Sequence, residues 1–182
     1  MGRAKPYAER LFDFPVIGPL DAAAAQLAIV KPAQDQGVHI TAPAVAAIFE
    51  KTQGYPYFLQ EWSKHAWDHA ARSPIRLEDV ARASVSAVAA LDDSFFRVRF
   101  DRLTPAEKRY LRAMAQRGPG PHRSGDVAEE LGRVVTALAP TRSKLIEKGM
   151  IWSPNHGDTA FTVPLFDEFM RRIMPGEDWR LV

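Results

Sequence analysis

Gly54 and Pro56 stand two residues apart in the run T-Q-G-Y-P-Y-F-L-Q-E-W, between two stretches of helical periodicity. A helix pattern enters this run from Ala42, with Val45, Ile48 and Phe49 on one face. Glycine adopts the left-handed conformation that closes a helix at little cost, so Gly54 is expected to end the first helix. Proline in the first helical turn gives up an N–H that has no partner there, so Pro56 is expected to start the next. One helix stops and another begins within about four residues, which is a tight αα turn.

The same punctuation organises the rest of the first half. Asp21 is expected to cap an alanine-rich helix over residues 22–30, which Pro32 should end or kink. Thr41 caps the helix leading into the central turn, with Pro43 in its first turn. From Pro56 to about Arg72, Phe58, Leu59, Trp62 and Ala66 form one apolar stripe. Ser73-Pro74 breaks that helix. Val80, Ala83, Ala87 and Leu91 then mark a helix from near Glu78 that can run on to Phe95, Phe96 or beyond, joining the two halves. Residues 21–92 therefore read as a four-helix unit. Ahead of it, residues 1–20 hold a strand-like segment (Leu11, Phe12, Phe14, Val16, Ile17) that is expected to belong to a sheet outside this sequence.

Residues 93–182 read differently. Thr104-Pro105-Ala106-Glu107 is a capping box with proline at the first helical position, and Tyr110, Leu111 and Met114 give its helix an apolar face. Gly118-Pro119-Gly120-Pro121 is a break. Ser124 is expected to cap a short helix closed by Gly132. A third helix from about Val134 to Lys148 points Val135, Leu138, Leu145 and Ile146 inward. Two strand-like runs, residues 150–153 and 159–163, flank a hairpin loop, and a last helix carries Leu165, Phe166, Phe169 and Met170. Helix, short helix, helix, hairpin is the order of a winged helix-turn-helix domain, in which the third helix enters the major groove. The exposed candidates for DNA contact are Arg133, Thr136, Thr141, Arg142 and Lys144 on that helix, with Asn155 and His156 on the wing.

Charge gives this reading limited support. The chain carries 24 Lys/Arg and 22 Asp/Glu, but residues 97–148 alone hold 12 basic against 6 acidic side chains. Such an excess fits either a solvated surface or a nucleic-acid contact. With no cysteine there is no disulfide, thiolate metal site or thiol nucleophile. His65 and His69 have the four-residue spacing that can chelate zinc, but no third ligand accompanies them, so no metal is expected. The pattern G-x-x-x-x-G-K-[ST] is absent, as is a Gly-x-Ser-x-Gly elbow. Nothing in these residues cradles a triphosphate, and independent catalysis is not expected. No apolar run is long enough to span a bilayer and there is no secretory leader, which points to the cytoplasm.

Four stretches, E-R-L-F-D-F-P-V-I-G-P-L, T-Q-G-Y-P-Y-F-L-Q-E-W-S-K-H-A-W, S-F-F-R-V-R-F-D-R-L-T-P-A-E-K-R-Y-L and T-R-S-K-L-I-E-K-G-M-I-W, cover nearly the whole chain in order. Together they resemble the C-terminal part of AAA+ ATP-binding proteins of the archaeal-type, origin-initiator-like branch, which overlaps with the signal-transduction (STAND) ATPases. The resemblance implies that residues 1–20 contain the end of the last strand of a nucleotide-binding core. It makes residues 21–92 the helical AAA+ lid and residues 93–182 the winged helix. Gly54-Tyr55-Pro56 looks like the Gly-x-Pro element whose proline lies against bound nucleotide, and Arg10 is an arginine-finger candidate. The family's γ-phosphate-sensing lid arginine has no match, since Tyr57 and Gln60 stand after the turn.

The implied function is that of a C-terminal fragment of an AAA+ protein. ATP or ADP with magnesium would bind in the full-length parent, which a P-loop core outside this sequence would complete and which could assemble as a homo-oligomer; no cofactor is expected to bind tightly to this chain alone. The lid would contribute to nucleotide sensing, and the winged helix would couple it to double-stranded DNA or to a partner protein. Two rivals remain: a stand-alone winged-helix transcription regulator with residues 1–92 as a dimerisation or ligand domain, and a nucleotide-gated protein–protein module.

Overall fold

A computed structural model of the chain describes residues 18–180, so the strand-like segment and Arg10 lie outside the described residues. The fold is mainly helical with one small three-stranded antiparallel sheet. Helices α1 (Ala22–Asp35), α2 (Ala42–Thr52), α3 (Pro56–His69) and α4 (Leu77–Leu91) form the first unit. The Asp21 carboxylate accepts the Ala24 N–H at 2.8 Å and so caps α1 as expected. The apolar stripes of α3 and α4 are buried, including Phe58, Leu59, Trp62, Val80, Ala83 and Leu91.

Three boundaries differ from expectation. Pro32 sits inside α1 without ending it. The carbonyl it leaves without a helical partner belongs to Ala28, which is exposed, so water can take the bond. Helix α2 enters the left-handed region one residue early, at Gln53 (φ 52°) as well as Gly54 (φ 71°). Helix α3 stops at His69 because the next residues are drawn into pairing with the loop before α2: Ile75 donates to His39 at 2.8 Å and Thr41 donates to Ile75 at 3.0 Å.

Beyond Leu91 the helix does run on, through a π-helical turn (Asp92–Phe96) into α5 (Arg97–Asp101). The 92/93 division falls inside this turn. Phe95 and Phe96 within it meet edge to face, with ring centroids 5.4 Å apart. Asp92 accepts both Nε and Nη2 of Arg172 at 2.9 and 2.7 Å, tying the turn to the last helix.

The second half holds α6 (Pro105–Gln116), β1 (His122–Arg123), α7 (Ser124–Glu130), α8 (Val135–Glu147), β2 (Ile151–Trp152), β3 (Asp158–Phe161) and α9 (Phe166–Ile173). This is the element order of a winged helix. Strand β1 was not anticipated; it pairs with β3 in the order β1-β3-β2, turning the expected hairpin into a sheet. Ser124 does not cap α7. It is the first helical residue, and its hydroxyl donates to the Gly157 carbonyl in the wing at 2.9 Å. Val135, expected inside, is 46% exposed, and of α8 only Leu145 is fully buried.

The capping box at α6 forms, with Thr104 N–H donating to Glu107 at 2.7 Å and Glu107 N–H donating to the Thr104 hydroxyl at 3.3 Å. Lys148 at the end of α8 adds a 2.7 Å ion pair to the same Glu107 oxygen. Burial alone would raise the Glu107 carboxyl; the Lys148 and Thr104 bonds outweigh it and hold it below the ordinary carboxylate value. A lowered folded value means stability that is present in full above the ordinary glutamate value and is lost as pH falls from there through the lowered folded value. Glu107→Gln is expected to cost roughly 1–2 kcal/mol at neutral pH. The gap from the parent should narrow in acid, read from denaturant melts at several pH values; a pH-independent gap would contradict this assignment.

Candidate functional site

The central turn is built on a close approach of two backbones. Leu20 N–H donates to the Gly54 carbonyl at 2.9 Å, and a Cβ placed on Gly54 would lie 2.2 Å from the Leu20 carbonyl oxygen. Thr52, fully buried, donates its hydroxyl to the Ile48 carbonyl at 2.8 Å and so seals the end of α2. The Tyr55 N–H donates to the Thr52 carbonyl at 3.0 Å. Gly54 is thus buried, Tyr55 half-buried and Pro56 exposed at the start of α3.

From this turn an unbroken series of aromatic contacts crosses the molecule. Tyr57 stacks on Phe95 at 5.1 Å, and Phe58 meets Phe95 at 5.2 Å and Phe96 at 5.6 Å. Phe96 in turn meets Phe169 at 5.3 Å and Phe166 at 5.7 Å, and Phe166 reaches Phe161 on β3 at 6.0 Å. One apolar cluster accordingly includes Ala25 in α1, Leu145 in α8 and Met170 in α9.

Beside the turn lies a cavity of about 680 Å³ lined by Tyr55, Val98, Arg99, Arg102, Leu103, Lys148, Gly149, Met150, Thr162 and Val163. Sequence reasoning did not single out Arg99. The Phe95-x-x-x-Arg99 spacing carried the signal, because residues four apart share a helix face. Its guanidinium lies 3.6 Å from the Phe95 ring centroid and its Nη1 donates to the Phe95 carbonyl at 2.9 Å.

The second candidate face is α8 with the wing. Arg133, Thr136 and Lys144 are exposed, as are Asn155 and His156, while Thr141 and Arg142 are half-buried. Arg142 is engaged within the fold: Nε donates to the Thr159 hydroxyl at 3.0 Å, and Nη2 donates to Ser153 Oγ and to the Asp158 carbonyl at 2.9 Å each. It fastens α8 to the wing. Asn155, in the exposed wing loop, donates to the Asp158 carboxylate at 3.1 Å. The same face exposes Val134 at 68%, Val135 at 46% and Trp152 at 50%. Of the paired histidines, His69 Nε2 lies 3.0 Å from Ser86 Oγ, whereas His65 Nε2 is 3.8 Å from Glu61. Among the described residues no helix is long and apolar enough to cross a membrane.

Residues 93–170 match a family model described as a domain of unknown function (DUF8462). No curated protein matches the sequence significantly. Among solved structures, the chain is similar to Thermotoga maritima RuvB, described as a Holliday junction branch migration motor. That match has 16% identity and a TM-score of 0.39, over 79% of this chain and 47% of that one. A variant of the same protein matches at 16% identity and a TM-score of 0.40, over 79% of this chain and 46% of its own length. The chain spans about half the length of these structures.

Proposed function

We propose that this chain is the nucleotide-responsive C-terminal region of an AAA+-type ATP-binding protein, a helical lid followed by a winged helix that docks on double-stranded DNA. The observation that carries the reading is the aromatic series from Tyr57 and Phe58 to Phe166 and Phe161. A packed series of rings transmits displacement because interiors have low compressibility. Nucleotide contact at one end would therefore move the winged helix with the lid as a single body, as in domain closure, and not about a hinge at residue 92.

The residues fit one wall of a nucleotide site. Pro56 offers an exposed ring, Tyr55 a half-exposed aromatic surface, and Gly54 permits the backbone approach that holds both in place. A magnesium-bound triphosphate would supply the bond whose hydrolysis resets the lid, and its cradle belongs to the P-loop core of the parent. In this chain Gly54, Tyr55 and Pro56 orient the ligand, and the ring stack passes its presence on.

At the DNA face, Arg133 lies in the bend ahead of α8 and not on the helix as expected; it and Lys144 on α8 are exposed cations, Thr136 is exposed on α8, and His156 is exposed on the wing. The test is binding of a duplex of about 20 base pairs to the 182-residue chain, followed by anisotropy across a salt series. Changing Arg133 and Lys144 together to alanine should weaken binding roughly tenfold and lower the salt slope by about 2. Arg142→Met serves as a control that loosens the wing and lowers the melting temperature. If the double variant binds like the parent, the DNA assignment fails. Val134, Val135 and Trp152 favour a second reading, in which the same face receives a protein; the exposed apolar area would then dominate, and the salt slope would be near zero.

A further inference from the structure

We infer that Arg99 and Arg102 form an oligophosphate-binding site in the cavity between the lid helices and the winged helix. The inference rests on the reading of the central turn as a nucleotide wall, since Tyr55 lines the same cavity.

The charge inventory of the cavity points this way. Its lining residues include three cations and no carboxylate. Lys148 is neutralised: its Nζ donates to Glu107 at 2.7 Å and to the Arg102 carbonyl at 3.1 Å. Among the described residues no carboxylate pairs with Arg99 or Arg102, which leaves two uncompensated charges three residues apart on one helix and its end. The remaining walls are largely apolar, from Val98, Leu103, Met150 and Val163, and a cleft of this kind focuses positive potential.

Arg99 is also held in place. Its Nη1 bond to the Phe95 carbonyl and its contact with the Phe95 ring fix the guanidinium before any ligand arrives, leaving Nε and Nη2 as donors. A planar fork held this way suits phosphate oxygens better than a flexible ammonium does. Burial lowers the Arg99 pKa, Tyr55 opposes this, and the nearby Arg102 cation lowers it further; an anion between the two would relieve both costs. The volume of about 680 Å³ exceeds what a single phosphate fills, and the Tyr55 ring supplies an aromatic wall. A nucleoside di- or triphosphate matches both features.

Calorimetric titration of the 182-residue chain with sodium pyrophosphate and, separately, with ADP tests this. Both should bind saturably. Arg102→Gln, which leaves the Lys148 bond to the residue 102 carbonyl in place, should weaken each about fivefold. Adding Arg99→Met should abolish binding while the chain stays folded by circular dichroism. Pyrophosphate binding that is unchanged in the double variant, or undetectable in the parent, would overturn the site. If ADP and pyrophosphate bind alike and Tyr55→Ala changes neither, the anion site stands and the nucleotide reading of the turn falls. If Tyr55→Ala removes ADP binding while the arginine variants do not, the turn stands and the anion site falls.

Discussion

Replacing Phe96 with alanine is expected to cost about 3–5 kcal/mol, the range for emptying a buried aromatic position. Phe96 is 1% exposed and meets rings from both halves: Phe58 and Phe95 on one side, Phe166 and Phe169 on the other. The cavity left behind cannot close easily, because its walls belong to α3, the π-helical turn and α9. Against a typical stability of roughly 5–15 kcal/mol the loss is large. For a chain of this size it corresponds to a melting-temperature drop of roughly 10 °C. Thermal unfolding followed by near-ultraviolet circular dichroism and by calorimetry would show it. The parent should unfold in one transition, since the core is shared. Two separate transitions in the parent would contradict that, and so would a Phe96→Ala variant that loses only one half. Phe96→Leu, which keeps most of the volume, should cost far less.

Gly54→Ala is expected to be the next most damaging change, at about 3 kcal/mol. The left-handed conformation contributes about 1–2 kcal/mol of that for any residue with a Cβ. The remainder comes from the Leu20 carbonyl 2.2 Å from the new methyl group, which must move and so give up the Leu20-to-Gly54 hydrogen bond. Gly37 is the internal control. Its φ of 74° is nearly the same, but nothing lies within 4 Å of its Cβ position, so Gly37→Ala should show the conformational cost alone. Equal losses at the two positions, measured by urea denaturation, would show that the backbone approach at Gly54 contributes nothing.

Most of the helices are legible from local signals. Asp21, the Thr104–Glu107 box, Gly54 with Pro56, and Gly149 act within a few residues of themselves, so their effect is visible without knowing the fold. The stripes Phe58-Leu59-Trp62-Ala66 and Val80-Ala83-Ala87-Leu91 likewise name a buried face by period alone. The errors fall where a distant partner intervened. Strand β1 is two residues long, and its partners Thr159 and Asp158 lie some 35 positions away. Ser124 looks like a cap until the wing takes its hydroxyl. Val135 looks internal until α8 is found to bury only Leu145 completely.

The candidate sites divide in the same way. The glycine and proline of the central turn were visible from their backbone chemistry. Arg142, by contrast, stood among the candidate DNA contacts, and its guanidinium is spent on Thr159, Ser153 and Asp158. Arg99 passed unnoticed in S-F-F-R-V-R-F, although it stands four residues after the phenylalanine that holds it. Most helix starts and apolar faces are legible locally, because caps, glycine, proline and periodicity act over a few residues. Which arginines are engaged within the fold emerges from the packing alone, because a cation's partners are set by what lies beside it. Packing also joins the four-helix unit and the second half in one core, because Phe96 in the π-helical turn meets rings from both.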